Sequence, residues 1–200
     1  NVAVGFQAGK VVTSGIRNVL IGGLAGDALT TGGNNIAIGY EALTTEDGNG
    51  RNIAIGTNSL QTLNAGADAY NVAVGFASGL AMTTGIENVI VGGLAGDALT
   101  TGSRNVAIGY GALSAEDAHG HNIAIGRNAL LALDAGADGH NVAVGSSAGE
   151  GLSTGVNNTL IGYQAGVALT TGDNNIVIGK DAAASAVGAD NETVIGTATT

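Results

Sequence analysis

Along the chain one short pattern recurs: asparagine, a β-branched residue, a small or aliphatic residue, a second β-branched residue, then glycine. It reads NVAVG at residues 1–5, NIAIG at 35–39 and NVAIG at 105–109. Anchored on the glycine, the pattern falls at Gly5, Gly22, Gly39, Gly56, Gly75, Gly92, Gly109, Gly126, Gly145, Gly162, Gly179 and Gly196. The spacings are 17, 17, 17 and 19 residues, then the same four again, then three of 17. Twelve units therefore follow a 70-residue super-period, and GGLAGDALTTG at 22–32 returns unchanged at 92–102. A fixed short period of this kind is the signature of a solenoid or a fibre.

Val or Ile stands one residue before every anchor: Val4, Ile21, Ile38, Ile55, Val74, Val91, Ile108, Ile125, Val144, Ile161, Ile178 and Ile195. Three residues before the anchor it stands in ten units, with Thr159 and Thr193 as the exceptions. Positions two apart share one face of a strand, and β-branched residues at that spacing are the strand signal. Stacked in parallel, they predict an all-β parallel β-solenoid, or β-roll, of twelve short coils. Its expected core ladder is the column running from Val4, Ile21, Ile38 and Ile55 through Val74, Val91, Ile108 and Ile125.

The position between the two β-branched columns points the other way and is also apolar, from Ala3, Leu20 and Ala37 to Ile90 and Leu160. A strand apolar on both faces is expected to be buried on both. Because a coil interior covers one face only, Ala3, Leu20, Ala37, Ile90 and Leu160 are expected to pack against copies of the chain. Asn precedes the strand in eleven units, from Asn1 to Asn175, and Glu192 replaces it in the twelfth. Asn suits left-handed corners, and stacked Asn side chains can bond along a rod axis. Twelve strands at about 4.8 Å spacing give a rod roughly 50 Å long.

Composition agrees with a thin, regular core. There are 36 Gly, no Pro, Cys or Trp, four Tyr and two Phe in 200 residues. Sixteen acidic residues against six basic ones give a formal charge of −10. That disfavours nucleic acid and bare anionic membranes, which need a cationic patch. The sequence holds no run of 18 apolar residues, so no inserted membrane helix is expected. Absent cysteines fit an extracellular protein without disulfides and a cytosolic one equally. The motif begins at residue 1, so residues 1–200 are expected to form a single repeat domain cut from a longer chain.

The motifs NVAVG, NIAIG and NVAIG resemble the head repeats of trimeric autotransporter adhesins. The longer unit, as in NNIAIGYEALTTEDGNGRN at 34–52, resembles bacteriophage tail-fibre repeats more closely. The resemblance covers essentially the whole chain. It implies a homotrimer of intertwined or side-by-side parallel β-coils forming a fibre. Its unit of 17 or 19 residues is longer than that of the adhesin heads.

Candidate chemistry is sparse. No HExxH, nucleophile elbow or cysteine occurs, so no enzyme activity and no cofactor are expected. His119 and His121 in HGH are weak candidates for a metal, set against NGR (residues 49–51) one super-period earlier. Asp68 and Asp138, in the loops of the 19-residue units, are weak calcium candidates beside the plainer reading of solvated acidic bulges. Tyr40, Tyr110 and Tyr163, with Phe6 and Phe76, directly follow anchor glycines. They are candidates for receptor or glycan contact, or for filling a groove between chains.

The expected function is a structural and adhesive fibre segment of a virion, a phage tail fibre or appendage that supports or performs host-surface attachment. Its expected partners are its own copies as a homotrimer, other virion proteins and a host-surface glycan or other receptor. Its expected place is the virion surface. The head of a bacterial adhesin on the cell surface is the alternative within the same class. A solenoid enzyme that degrades polysaccharide is the alternative from another class.

Overall fold

The computed structural model describes residues 1–116 and 118–197. Twelve strands of three residues each follow one another: β1 (Val2–Val4), β2 (Val19–Ile21), β3 (Ile36–Ile38), β4 (Ile53–Ile55), β5 (Val72–Val74), β6 (Val89–Val91), β7 (Val106–Ile108), β8 (Ile123–Ile125), β9 (Val142–Val144), β10 (Thr159–Ile161), β11 (Ile176–Ile178) and β12 (Thr193–Ile195). They form one parallel sheet in unbroken chain order. The register pairs equivalent positions, with Ala3 beside Leu20, Ala37 beside Ala54 and Ala73 beside Ile90. No helix occurs among the described residues. The chain is thus an all-β parallel solenoid, one strand per coil.

The corners explain why each strand stops after three residues. The twelve anchor glycines have φ between +131° and +142°, a region that side chains bar. A Cβ on Gly39 would fall on the carbonyl of Gly56 in the next coil, so successive corners stack too closely for any side chain. At the other end, the residue before each Asn sits in the left-handed region, as at Arg17 (φ 62°) and Asn34 (φ 59°).

Inside and outside are the reverse of the sequence expectation. Leu20, Ala37, Ile90 and Leu160 are fully buried within the single chain. Ala3 holds the same inward position but is exposed in the first coil. The expected core ladder faces outward: Val4 is 59% and Ile21 37% exposed, and Ile38, Ile55, Val74, Val91, Ile108 and Ile125 are half-buried. The cause lies in the closing turn of each coil. It presses buried residues such as Ala25, Ala42, Leu29 and Leu63 against the back of the strand. That leaves room for one inward side chain per strand.

The closing turn also explains the larger knobs at 70-residue spacing. Four residues after the anchor stands Gly or Leu in the first ten units, with Ala183 in the eleventh. Where the strand centre is Leu20, Ile90 or Leu160, the glycines of that coil and the one before it face the knob. A Cβ on Gly9 or Gly26 would meet the Leu20 methyl groups at 2.6 and 2.8 Å. Where the strand centre is Ala37, Ala54, Ala107 or Ala124, the turn supplies a buried Leu43, Leu60, Leu113 or Leu130. Volume is conserved across the coil, as close packing requires.

A ladder of buried asparagines runs down one edge of the strands. Each side-chain oxygen accepts the backbone N–H of the equivalent residue one coil on: Asn18 Oδ1 from Asn35 at 2.9 Å, Asn88 Oδ1 from Asn105 at 2.8 Å, and, at the end, Asn175 Oδ1 from Glu192 at 2.9 Å. Most side-chain amides donate to a carbonyl fourteen residues on, as from Asn88 to Gly102 at 2.9 Å. Asn52 and Asn122 bond instead to the nearer Gly50 and Gly120 carbonyls. Axial bonding by Asn, expected from the repeat, is therefore present along the stack. Threonine hydroxyls add to it, with Thr30 donating to the Asp47 carbonyl at 2.9 Å and Thr83 to that of Thr100 at 3.2 Å.

Candidate interface along the strand face

A three-residue strand with its centre turned inward shows both flanking positions to the outside. Stacking twelve of them in register makes a stripe two side chains wide along the rod. Every position in it is Val, Ile or Thr, and none is charged. Even with all coils in place, Val89 is 37% and Ile176 41% exposed. A contiguous apolar surface of this kind makes the stripe a candidate interface. The sheet beneath has no free edge along its side, since every strand from β2 to β11 is bonded on both flanks.

The aromatic column borders this stripe. Phe6, Tyr40, Phe76, Tyr110 and Tyr163 are all about half exposed or more. Two of the rings lie back over the preceding coil: a Cβ on Gly23 would stand 3.3 Å from Tyr40 Cδ2, and one on Gly93 3.6 Å from Tyr110 Cδ2. The rings thus form a rim beside the Val/Ile stripe.

The histidines divide between two arrangements. His121 stacks on His140 with ring centroids 4.9 Å apart. His121 Nδ1 lies 3.4 Å from Asp138 Oδ2, an ion-pair distance rather than a hydrogen bond. The other Asp138 oxygen accepts the Gly120 N–H at 3.0 Å, which holds this carboxyl below its ordinary pKa, helped by the nearby histidines. One super-period earlier the same places hold Arg51, Asp68 and Tyr70. There Arg51 pairs with Asp68 at 3.1 Å and lies over the Tyr70 ring. His119 faces elsewhere, with its Nδ1 3.2 Å from Glu116 Oε1. Of the four metal candidates read from the sequence, the structure brings His121 and Asp138 together. It commits Asp68 to an ion pair and sets His119 beside a different carboxylate.

Glu116 and its counterpart Glu46 escaped the sequence reading. Both are fully buried. They stand seven residues after their anchors, in a column that elsewhere holds Val12, Leu29, Leu63, Met82, Leu99 and Leu133. Each is held the same way. Glu46 accepts the N–H of Asn49 (3.1 Å) and Ala65 (3.4 Å), and Glu116 those of His119 (3.0 Å) and Ala135 (3.4 Å). Burial raises the Glu46 pKa, partly opposed by these backbone donors. The signal that would have found both is a carboxylate at a register position that is otherwise aliphatic.

Compared with protein-family models, curated proteins and solved structures, the chain matches none of them.

Proposed function

We propose that the chain is a rigid structural and adhesive fibre segment, assembled as a homotrimer of parallel copies whose Val/Ile stripes face one another. The observation that carries this reading is the uncharged stripe along all twelve strands. Water is a poor neighbour for it, and an identical stripe on a second and third copy matches its length, pitch and chemistry. The aromatic rim then packs in the grooves between chains or faces a receptor. Continuous backbone ladders give stiffness along the axis, which is what a shaft holding a binding tip away from a particle requires.

The longer repeat unit resembles tail-fibre repeats, which favours a virion appendage that supports host-surface attachment. The shorter motif's resemblance to bacterial adhesin heads keeps that role as the second reading. For an enzyme the residues supply little: the buried carboxylates Glu46 and Glu116 lie in separate coils, 70 residues apart in the chain, and do not form a pair.

Native mass spectrometry of the purified chain tests the assembly. The expected species is a trimer, and a double variant Ile55→Lys/Ile108→Lys is expected to dissociate to monomer while keeping its β circular dichroism. A wild-type chain that stays monomeric contradicts the reading. So does release of reducing ends from capsular polysaccharide or lipopolysaccharide incubated with the chain.

A further inference from the structure

We propose that Glu116, His119 and Asp134 form a binding site for a divalent transition ion of the zinc type, clamping two consecutive coils together. One ligand atom from each of the three side chains lies within 4.8 Å of the other two. His119 Nδ1 and Glu116 Oε1 are 3.2 Å apart. Two zinc ligands at tetrahedral geometry stand roughly 3.3 Å from each other. The donor set, one imidazole and two carboxylates, suits zinc and its neighbours. Calcium takes six to eight oxygen ligands and has no use for the imidazole. Glu116 and His119 belong to the coil after β7 and Asp134 to the coil after β8, so an ion held by all three joins adjacent rungs.

The site is built before any ion arrives. Glu116 is fully buried and fixed by two backbone N–H donors. The His119 backbone is held at both ends, its N–H by Glu116 and its carbonyl by the Asn105 side-chain amide at 3.1 Å. Such support keeps ligands in place. Asp134 is exposed, which leaves a route in from solvent.

The chain carries its own control. Seventy residues earlier the same backbone surrounds Glu46, with the same pair of N–H bonds, but Asn49 and Asn64 replace His119 and Asp134. Both loops keep the buried glutamate, and the first closes without the histidine and aspartate. Both departures in the second copy introduce metal-ligating groups, and both converge on the one buried carboxylate. Calling the glutamate a loop anchor accounts for Glu46 completely and leaves His119 and Asp134 unexplained.

The test is titration of the purified chain with zinc chloride by isothermal calorimetry, with thermal melts alongside. Wild type is expected to bind one zinc per chain and to melt at higher temperature when zinc is in excess. His119→Asn/Asp134→Asn, which copies the sister loop and so should fold, is expected to lose both effects. The reverse variant Asn49→His/Asn64→Asp is expected to bind two. His121→Asn/His140→Asn is expected to leave binding unchanged. Failure of wild type to bind or to gain melting temperature overturns the proposal, as does binding that survives His119→Asn/Asp134→Asn. None of these outcomes depends on how many chains assemble.

Discussion

At the residue scale the fold depends on polar groups that are buried and fully used. Asn88 shows why one amide cannot be exchanged for an apolar side chain. Its oxygen accepts the Asn105 N–H at 2.8 Å and its nitrogen donates to the Gly102 carbonyl at 2.9 Å, both out of reach of water. Asn88→Ala strips a donor and an acceptor of their partners, and each buried orphan costs about 1–3 kcal/mol. The variant is therefore expected to lose roughly 2–6 kcal/mol in urea unfolding, whereas Asn157→Ala, outside the ladder, should lose much less. The asparagine column was legible because it stands four residues before the anchor glycine in eleven units, whatever the spacing between anchors. The buried glutamates were not, because only alignment with the closing turns of other coils shows that a carboxylate occupies an aliphatic place.

At the element scale, strand bounds could be read directly: glycine closes each of the twelve, and asparagine opens all but the last, which Glu192 opens. Which face turned inward could not. A strand of three residues offers two β-branched side chains one way and one small side chain the other. The pattern alone does not say on which side the chain folds back. The deciding clue lay outside the strand, in the exchange of Gly for Leu four residues after the anchor. Leu20 with Gly26, and Ala37 with Leu43, are two solutions to the same volume. Leu20→Ala is expected to cost about 2–5 kcal/mol by leaving a cavity. Gly26→Leu alone should also destabilise, through overpacking. The double variant should recover much of the loss, since Leu43 already adopts φ 53° at the equivalent position. A double-mutant cycle from denaturant unfolding checks the coupling; simple additivity would mean the two sites do not share one space.

At the scale of the whole molecule, the inward Ala/Leu column completes a core within one chain, and the outward Val/Ile stripe is what remains to be covered. The sequence pattern put the inner and outer faces the wrong way round: β-branched bulk suggested a core ladder, when the interior had room only for what the closing turn left. The outward face is the one that the proposed assembly would cover. Two columns of Val and Ile over twelve coils present more apolar surface than one column of mostly alanine. The chain contains no cysteine, so single introduced thiols report cleanly on each face. The most direct measurement is oxidative cross-linking and thiol labelling of Ile53→Cys, Ile55→Cys and Ala54→Cys in the purified chain. The account predicts chain-to-chain disulfides from at least one of the two outward positions, and an Ala54→Cys thiol that neither cross-links nor reacts until the coil unfolds. Cross-linking at residue 54, or outward thiols that label freely on an unassociated chain, would contradict it.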